Sequence, residues 1–175
     1  MGLRRTGRVE PRGGVNPRIR IMLDSREIEE LAAEDDEVLG MWGKATRTAR
    51  TALVAALDHD LDARFTLRYQ AALQAATAVV RAAGYRVRGD HNHQITFATV
   101  AALGSGELSE AARDLTVIRQ GRHAAVYDWQ ATMEKAQVAD LRAATSALLH
   151  AAHAWLLMKR PLLAGRLTDP PASPE

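Results

Sequence analysis

The 175-residue sequence contains no cysteine, few aromatic residues and no long apolar run. Without cysteine the chain can form no disulfide and offers no thiol nucleophile or thiolate metal ligand, which fits a reducing compartment, so we expect a cytoplasmic protein. No apolar stretch approaches the roughly 18 residues that a membrane span needs, and we expect no membrane association. The length is that of one domain, with enough chain to bury a core.

Lysine is also scarce, since only three of the 23 basic residues are lysines. The net charge of +2 is unevenly distributed, because residues 1–20 hold six arginines against one glutamate and the rest of the chain is therefore acidic. This segment is rich in glycine and proline, a composition typical of disorder. We predict a disordered basic tail over residues 1–23, which is either an extension without a function or an arm that binds phosphates.

Apolar residues at helical spacing predict an all-α, up-and-down bundle of five to six helices over residues 24–160. Asp24 to Glu27 matches a capping box, so the first helix is expected to begin there, and the acidic run 34–37 is expected to break it in two. Later helices are predicted over residues 61–83, 92–103, 107–127 and 133–158, with Gly84 and Pro161 as stop signals. No stretch alternates as a strand would, and the proline-rich residues 161–175 predict a frayed C-terminal tail.

The helix predicted over residues 107–127 carries the densest cluster of functional side chains. Its apolar seam consists of Leu108, Ala111, Leu115 and Ile118. The next seam position is Arg122, and a buried cation there needs either a partner or an open crevice. Arg119, His123 and Tyr127 are spaced by four and form an adjoining stripe. From spacing alone, two interpretations stay open: a salt-bridge network with Asp114, Asp128 or Asp140, or a site that binds phosphate.

This stretch resembles the motif helix of the HEPN superfamily, small helical-bundle proteins of toxin–antitoxin, defence and RNA-processing systems. The usual pattern is an arginine, a polar residue, three further residues and a histidine. Arg122 and His123 fit the first two places, and Tyr127 stands in the last, as in a branch that reads Arg-x-x-x-x-Tyr. The resemblance extends over residues 61–158 and includes four further features, in order: the alanine-rich segment 69–73, Gly84, His93 and Phe97.

The resemblance implies a homodimer in which two motif helices line one cleft and act on RNA without a metal or a cofactor. Arg122 matches the arginine that stabilises the phosphorane, Arg119 is a second phosphate-binding candidate, and His123 matches the polar position. Tyr127 takes the place of the catalytic histidine, but a phenol with a pKa near 10 is a poor general base at neutral pH.

We therefore expect a dimeric RNA- or nucleotide-binding protein, in a prokaryotic toxin–antitoxin or defence system, whose catalysis is weakened or lost. Two alternatives stay open. One is an active metal-independent endoribonuclease that uses His123 with Arg122, and the other is a non-enzymatic helical partner of a nucleotidyltransferase.

Two pairs of histidines could in principle bind a metal. His91 and His93 lie on either side of Asn92, but this position fits the start of a helix better, with Asp90 or Asn92 as its cap and His93 near Phe97. His150 and His153 share a helix face without a carboxylate on the neighbouring turns. We therefore predict that these histidines are structural and that the protein has no metal site.

Overall fold

The computed structural model of the chain describes residues 15–89, 92–125 and 134–172, excepting the side chains of residues 119–125. The described residues form an all-α bundle with one small two-stranded antiparallel sheet, which confirms the predicted fold class. The helices are α1 (Pro17–Asp24), α2 (Asp35–Thr51), α3 (Leu61–Ala82), α4 (Asn92–Leu103), α5 (Glu107–Ala125) and α6 (Lys135–Lys159). The strands are β1 (Ile28–Glu30) and β2 (Tyr85–Val87), with Ile28 opposite Val87. No helix in the described ranges is long and apolar enough to cross a bilayer.

The alanine-rich helix α3 is the centre of the bundle, as the sequence indicates. Its buried alanines are Ala71, Ala72, Ala75, Ala76, Ala78 and Ala82. Small side chains around most of a helix let α2, α4 and α6 approach it closely. The Thr48 hydroxyl donates a hydrogen bond to Gln74, and Arg81 donates one to Glu37. Later residues of α2 thus meet earlier residues of α3, so the two helices are antiparallel. Gly84 follows α3 with φ +86°, the left-handed conformation that ends a helix and favours glycine.

Four predicted helices agree closely with α3, α4, α5 and α6, because local signals mark their ends. The side chain of Asp60 accepts a hydrogen bond of 2.8 Å from the Ala63 N–H and so caps α3. Glu134 and Gln137 form a reciprocal capping box at the start of α6. α6 ends at Lys159, two residues before Pro161.

The prediction of a disordered tail is wrong over residues 15–23, most of which form α1. The side chain of Asn16 caps α1 through the Arg18 N–H and also donates to the Ala102 carbonyl at 2.8 Å. Ile19 is buried against Ile28 and Ala102. Apolar residues collect at the end of this arginine- and glycine-rich segment, so its average composition concealed a short helix.

The expected helix start at Asp24 is also wrong, since Asp24 ends α1 and residues 28–30 form β1. A three-residue strand is too short to show alternation in a sequence. The acidic run does not break a helix but begins one, because Asp35, Asp36 and Glu37 occupy the first turn of α2 and favour its positive dipole end.

The C-terminal segment is not frayed through residue 172. Leu163 and Leu167 are buried in the main core. The indole N–H of Trp42 donates to the Thr168 carbonyl at 2.7 Å, and Arg50 donates to the Asp169 carbonyl at 2.9 Å. α6 ends two residues before Pro161, and the buried Leu163 and Leu167 then pack the following segment against the core beside α2.

A buried arginine joins three of these segments. Arg81 donates to both carboxylate oxygens of Glu37, at 2.7 and 3.2 Å, and to the carbonyls of Leu31, Ala32 and Tyr85. The guanidinium therefore links the end of α3 to the start of α2, to the two residues that follow β1 and to the first residue of β2. Its five donors are used in full, so this cation has a structural role.

Candidate functional site

The motif predicted from the sequence lies on the last turns of α5. This helix is unbroken from Glu107 to Ala125, so Arg119, Arg122 and His123 are all on one helix. Leu108 and Leu115 are buried, and position 122 lies seven residues beyond Leu115, on nearly the same helical face. The side chains of Arg119, Arg122 and His123 lie outside the described residues, and so does Tyr127 as a whole. Their mutual geometry stays a prediction.

The competing interpretation, a salt-bridge network, also stays open. Asp114 on α5 and Asp140 on α6 are exposed to solvent, while Asp128 lies outside the described residues.

His93 contacts the central helix. Its Nδ1 lies 3.5 Å from the Tyr69 hydroxyl, and the two rings are 5.8 Å apart. Phe97 meets Tyr69 edge-on at 5.9 Å. These contacts pack the first turns of α4 onto α3, which is a structural role, whereas His91 lies outside the described residues.

The second histidine pair is divided between two environments. His153 stacks on Trp42 with the rings 5.6 Å apart, and its Nε2 lies 3.8 Å from Asp169. His150 is exposed, and its Nδ1 lies 2.8 Å from the Ser146 carbonyl. Within the described ranges, no group of three or more potential metal ligands comes together.

An open groove with cationic and polar side chains along it lies between α2 and α3, and no sequence pattern indicated it. We call it the α2–α3 groove, and it has a volume of about 500 Å³. It is lined by Lys44, Arg47, Thr48, Thr51, Leu67, Gln70, Leu73, Gln74 and His93. Lys44 and Arg47 are exposed, and no carboxylate is among the lining residues. Such a surface suits a polyanion, because two cations and several amide and hydroxyl groups face it together.

A second cationic feature is buried. Arg68 of α3 is only 6% exposed and lines a small cavity between α2, α3 and α6, together with the half-buried Arg142. The Nη1 of Arg68 donates to the Val138 carbonyl at 3.0 Å. In the described part of the chain, no carboxylate pairs with Arg68 or Arg142.

Burial and repulsion between neighbouring arginines make this cavity an unfavourable environment for the charge of Arg68. Burial lowers the pKa of Arg68 from its ordinary value, and the nearby charges of Arg64 and Arg142 lower that pKa further. A guanidinium nevertheless stays charged in a protein, so the repulsion remains as a cost in free energy. Arg64 pairs with Asp58 at 2.8 Å, but its Nε is buried without a hydrogen-bond partner among the described residues.

The sequence carried a signal for Arg68 that we missed. Phe65, Arg68, Tyr69 and Ala72 follow one helical face of α3, so a cation interrupts an apolar seam there just as Arg122 does on α5.

No protein-family model matches the chain, and no curated protein and no solved structure matches it significantly. The resemblance to the HEPN superfamily therefore depends on the residues quoted above.

Proposed function

We propose that this chain is a HEPN-like homodimer that binds RNA or a nucleotide, in a prokaryotic toxin–antitoxin or defence system, with its catalysis weakened or lost. The observation that carries the proposal is the continuity of α5 through Ala125. It keeps Arg119, Arg122 and His123 on one helix whose buried seam, through Leu115, leads to position 122. The all-α bundle is the type of fold that the resemblance implies.

The chemistry of the motif favours binding over cleavage. A guanidinium at position 122 can hold a phosphate through two parallel hydrogen bonds without losing its charge. Metal-independent cleavage also needs a group that titrates near neutral pH. Tyr127 is a poor candidate for that proton transfer, and His123 would have to act from a different position.

The α2–α3 groove is a second feature that suits a nucleic-acid ligand. Its exposed Lys44 and Arg47 can contact successive phosphates, and the side chains of Gln70 and Gln74 can contact sugars or bases. Contacts of this type contribute affinity that depends on salt.

A homodimer accounts for an arginine at a seam position. An isologous interface beside α5 brings two copies of the same patch together and gives both Arg122 side chains one shared cleft. Val117, on the same helix, is 66% exposed, and because it lies about 140° around the helix from position 122 it could contribute apolar area only at the edge of such an interface.

The proposal is tested by binding of a fluorescent single-stranded RNA to wild-type protein and to Arg122→Ala, measured by anisotropy. A charge-assisted hydrogen bond is worth about 1.5–3 kcal/mol, so we expect the variant to bind about 10- to 100-fold more weakly. Arg113→Ala is the matched control, because Arg113 is an exposed arginine on the same helix. Equal losses in the two variants would contradict a specific role for Arg122.

The same experiment separates the two alternatives. Metal-independent cleavage by the wild type that is lost in His123→Ala would support an active endoribonuclease. Absence of RNA and nucleotide binding by the wild type would overturn the proposal and favour the non-enzymatic partner of a nucleotidyltransferase.

A further inference from the structure

The cavity at Arg68 has the properties of a ligand-binding site whose arginines are not paired with a carboxylate of the described residues. Its wall is formed by Ala49 and Leu53 of α2, Arg68 of α3, Arg142, Thr145, Ser146 and Leu149 of α6, and Pro171 and Ala172 of the C-terminal segment. Thus four separate parts of the fold line this cavity, two of the lining residues are arginines, and most of the remaining wall is apolar.

Among the described residues, the buried Arg68 and the half-buried Arg142 have no carboxylate partner. Arg81 and Arg160 show the usual solution in this protein, since Arg81 pairs with Glu37 and Arg160 pairs with Asp35 at 2.8 Å. Arg68 instead donates to a single acceptor in the described part of the chain, the Val138 carbonyl on α6. A single neutral carbonyl cannot offset a buried positive charge.

The Arg68 cavity is therefore a place where an added anion would gain more than it would in water. Removal from water strengthens the attraction between an anion and two guanidiniums. The negative charge of the anion would also offset the repulsion between the positive charges of Arg68 and Arg142. The hydroxyl of Ser146, which lines the cavity, can donate a further hydrogen bond.

We propose that the Arg68 cavity binds a compact oxyanion of the phosphate class, held by the guanidiniums of Arg68 and Arg142. This inference does not depend on the proposed function, because it involves no residue of α5. The cavity admits the centres of water-sized spheres over about 30 Å³. One water needs roughly 10–15 Å³, so the cavity has room for two or three phosphate oxygens while the rest of the group lies at its mouth, and it has no room for a nucleobase.

The apolar part of the wall limits the ligand further. Ala49, Leu53 and Leu149 offer no hydrogen bond to a sugar or a base. The bound group is therefore either free inorganic phosphate or a terminal phosphate whose remaining atoms stay outside the mouth beside Pro171 and Ala172.

The test is isothermal titration of the full-length protein with inorganic phosphate at low ionic strength, alongside thermal unfolding with and without phosphate. We expect wild-type protein to bind phosphate and its melting temperature to rise with phosphate concentration, since a ligand of the folded state stabilises it. Arg142→Gln should weaken binding by about tenfold or more, because it removes a charge-assisted contact. Arg68→Met should abolish binding and the rise in melting temperature.

Arg113→Gln is the control and should bind phosphate as the wild type does. Arg142 is half-buried, so Arg142→Gln keeps the test valid if Arg68→Met does not fold. Absence of binding to the wild type, or unchanged binding in both cavity variants, would overturn the proposal. A 5′-phosphorylated dinucleotide in place of inorganic phosphate identifies the source: equal affinity indicates free phosphate, and higher affinity indicates a terminal phosphate.

The outcome is separable from that of the RNA experiment. Arg122→Ala should leave phosphate binding in the cavity intact, whereas Arg68→Met should leave the salt-dependent binding of a single-stranded RNA without a terminal phosphate intact.

Discussion

Replacing Arg81 by alanine should destabilise the protein far more than removing an exposed arginine that also pairs with a glutamate. Arg81 is 5% exposed and makes five hydrogen bonds of 2.7–3.2 Å. The variant removes the hydrogen bonds from the charged guanidinium to the carbonyls of Leu31, Ala32 and Tyr85, and a hydrogen bond to a charged group contributes about 1.5–3 kcal/mol. Leu31 and Ala32 are exposed, so water replaces part of that loss. Glu37 is partly exposed, so water compensates its lost partner. We therefore expect the free energy of unfolding to fall by about 3–5 kcal/mol.

Urea unfolding followed by circular dichroism measures this loss. At about 2–4 °C for each kcal/mol in a chain of this size, the melting temperature should fall by roughly 6–20 °C. Arg86→Ala is the matched control, because Arg86 pairs with Glu29 but its side chain is 56% exposed. An exposed pair contributes about 0–1 kcal/mol, so the control should lose little. Similar losses in the two variants would refute the structural role assigned to Arg81.

Three further outcomes are expected. Wild-type protein should cleave RNA weakly or not at all at neutral pH. Tyr127→His should gain cleavage, and adding Arg122→Ala to that variant should abolish the gain. Vigorous cleavage by the wild type that is lost in Tyr127→Phe would show that the site is misjudged. In the Lys44→Ala, Arg47→Ala double variant, the slope of log affinity for single-stranded RNA against log salt should shrink by about 1.4, because each phosphate contact contributes roughly 0.7; an unchanged slope would exclude the α2–α3 groove as the RNA surface. The hydrogen bonds from Arg81 hold the pKa of Glu37 below its usual value, so the stabilisation is present above the ordinary glutamate pKa and is lost as the pH falls through the lower, folded value. Urea titrations of Glu37→Gln should lack this acid-dependent loss, and an identical pH profile would contradict it.

The helices that the sequence predicted well are those whose ends carry local signals. Asp60 caps α3, Gly84 follows it with a positive φ, and Pro161 follows the end of α6. Helix capping and backbone conformation depend on a few neighbouring residues, so they can be read without knowing the tertiary structure.

The errors lie where distant contacts decide the conformation. α1 depends on Ile19 packing against Ala102, and the C-terminal segment depends on Trp42 donating to the Thr168 carbonyl. Neither partner is near in sequence, so composition predicted disorder for segments that tertiary contacts hold in place.

For the candidate sites, the sequence indicated which helices carry unusual cations but not how those cations are grouped. A cation within an apolar seam marks both Arg122 and Arg68. Arg68 and Arg142 come close together only when α3 packs in register against α6. The hydrogen bond from Arg68 to the Val138 carbonyl, 70 residues away in sequence, fixes that register. Lys44 and Arg47 likewise become a groove only when α2 packs on α3.

The central claim is that two copies of the chain meet beside α5, and the distance between spin labels on the two copies tests it most directly. The cysteine-free sequence allows one label at a time, at Val117→Cys on α5 and, as a control of equal exposure, at Met158→Cys on α6. Packed helices lie about 8–10 Å apart, so at micromolar protein the Val117 label should show dipolar broadening of its continuous-wave spectrum or a short, narrow distance by double electron–electron resonance, and the Met158 label should show a longer distance. Absence of dipolar coupling at Val117, or a shorter distance at Met158, would contradict a dimer built around the motif helix.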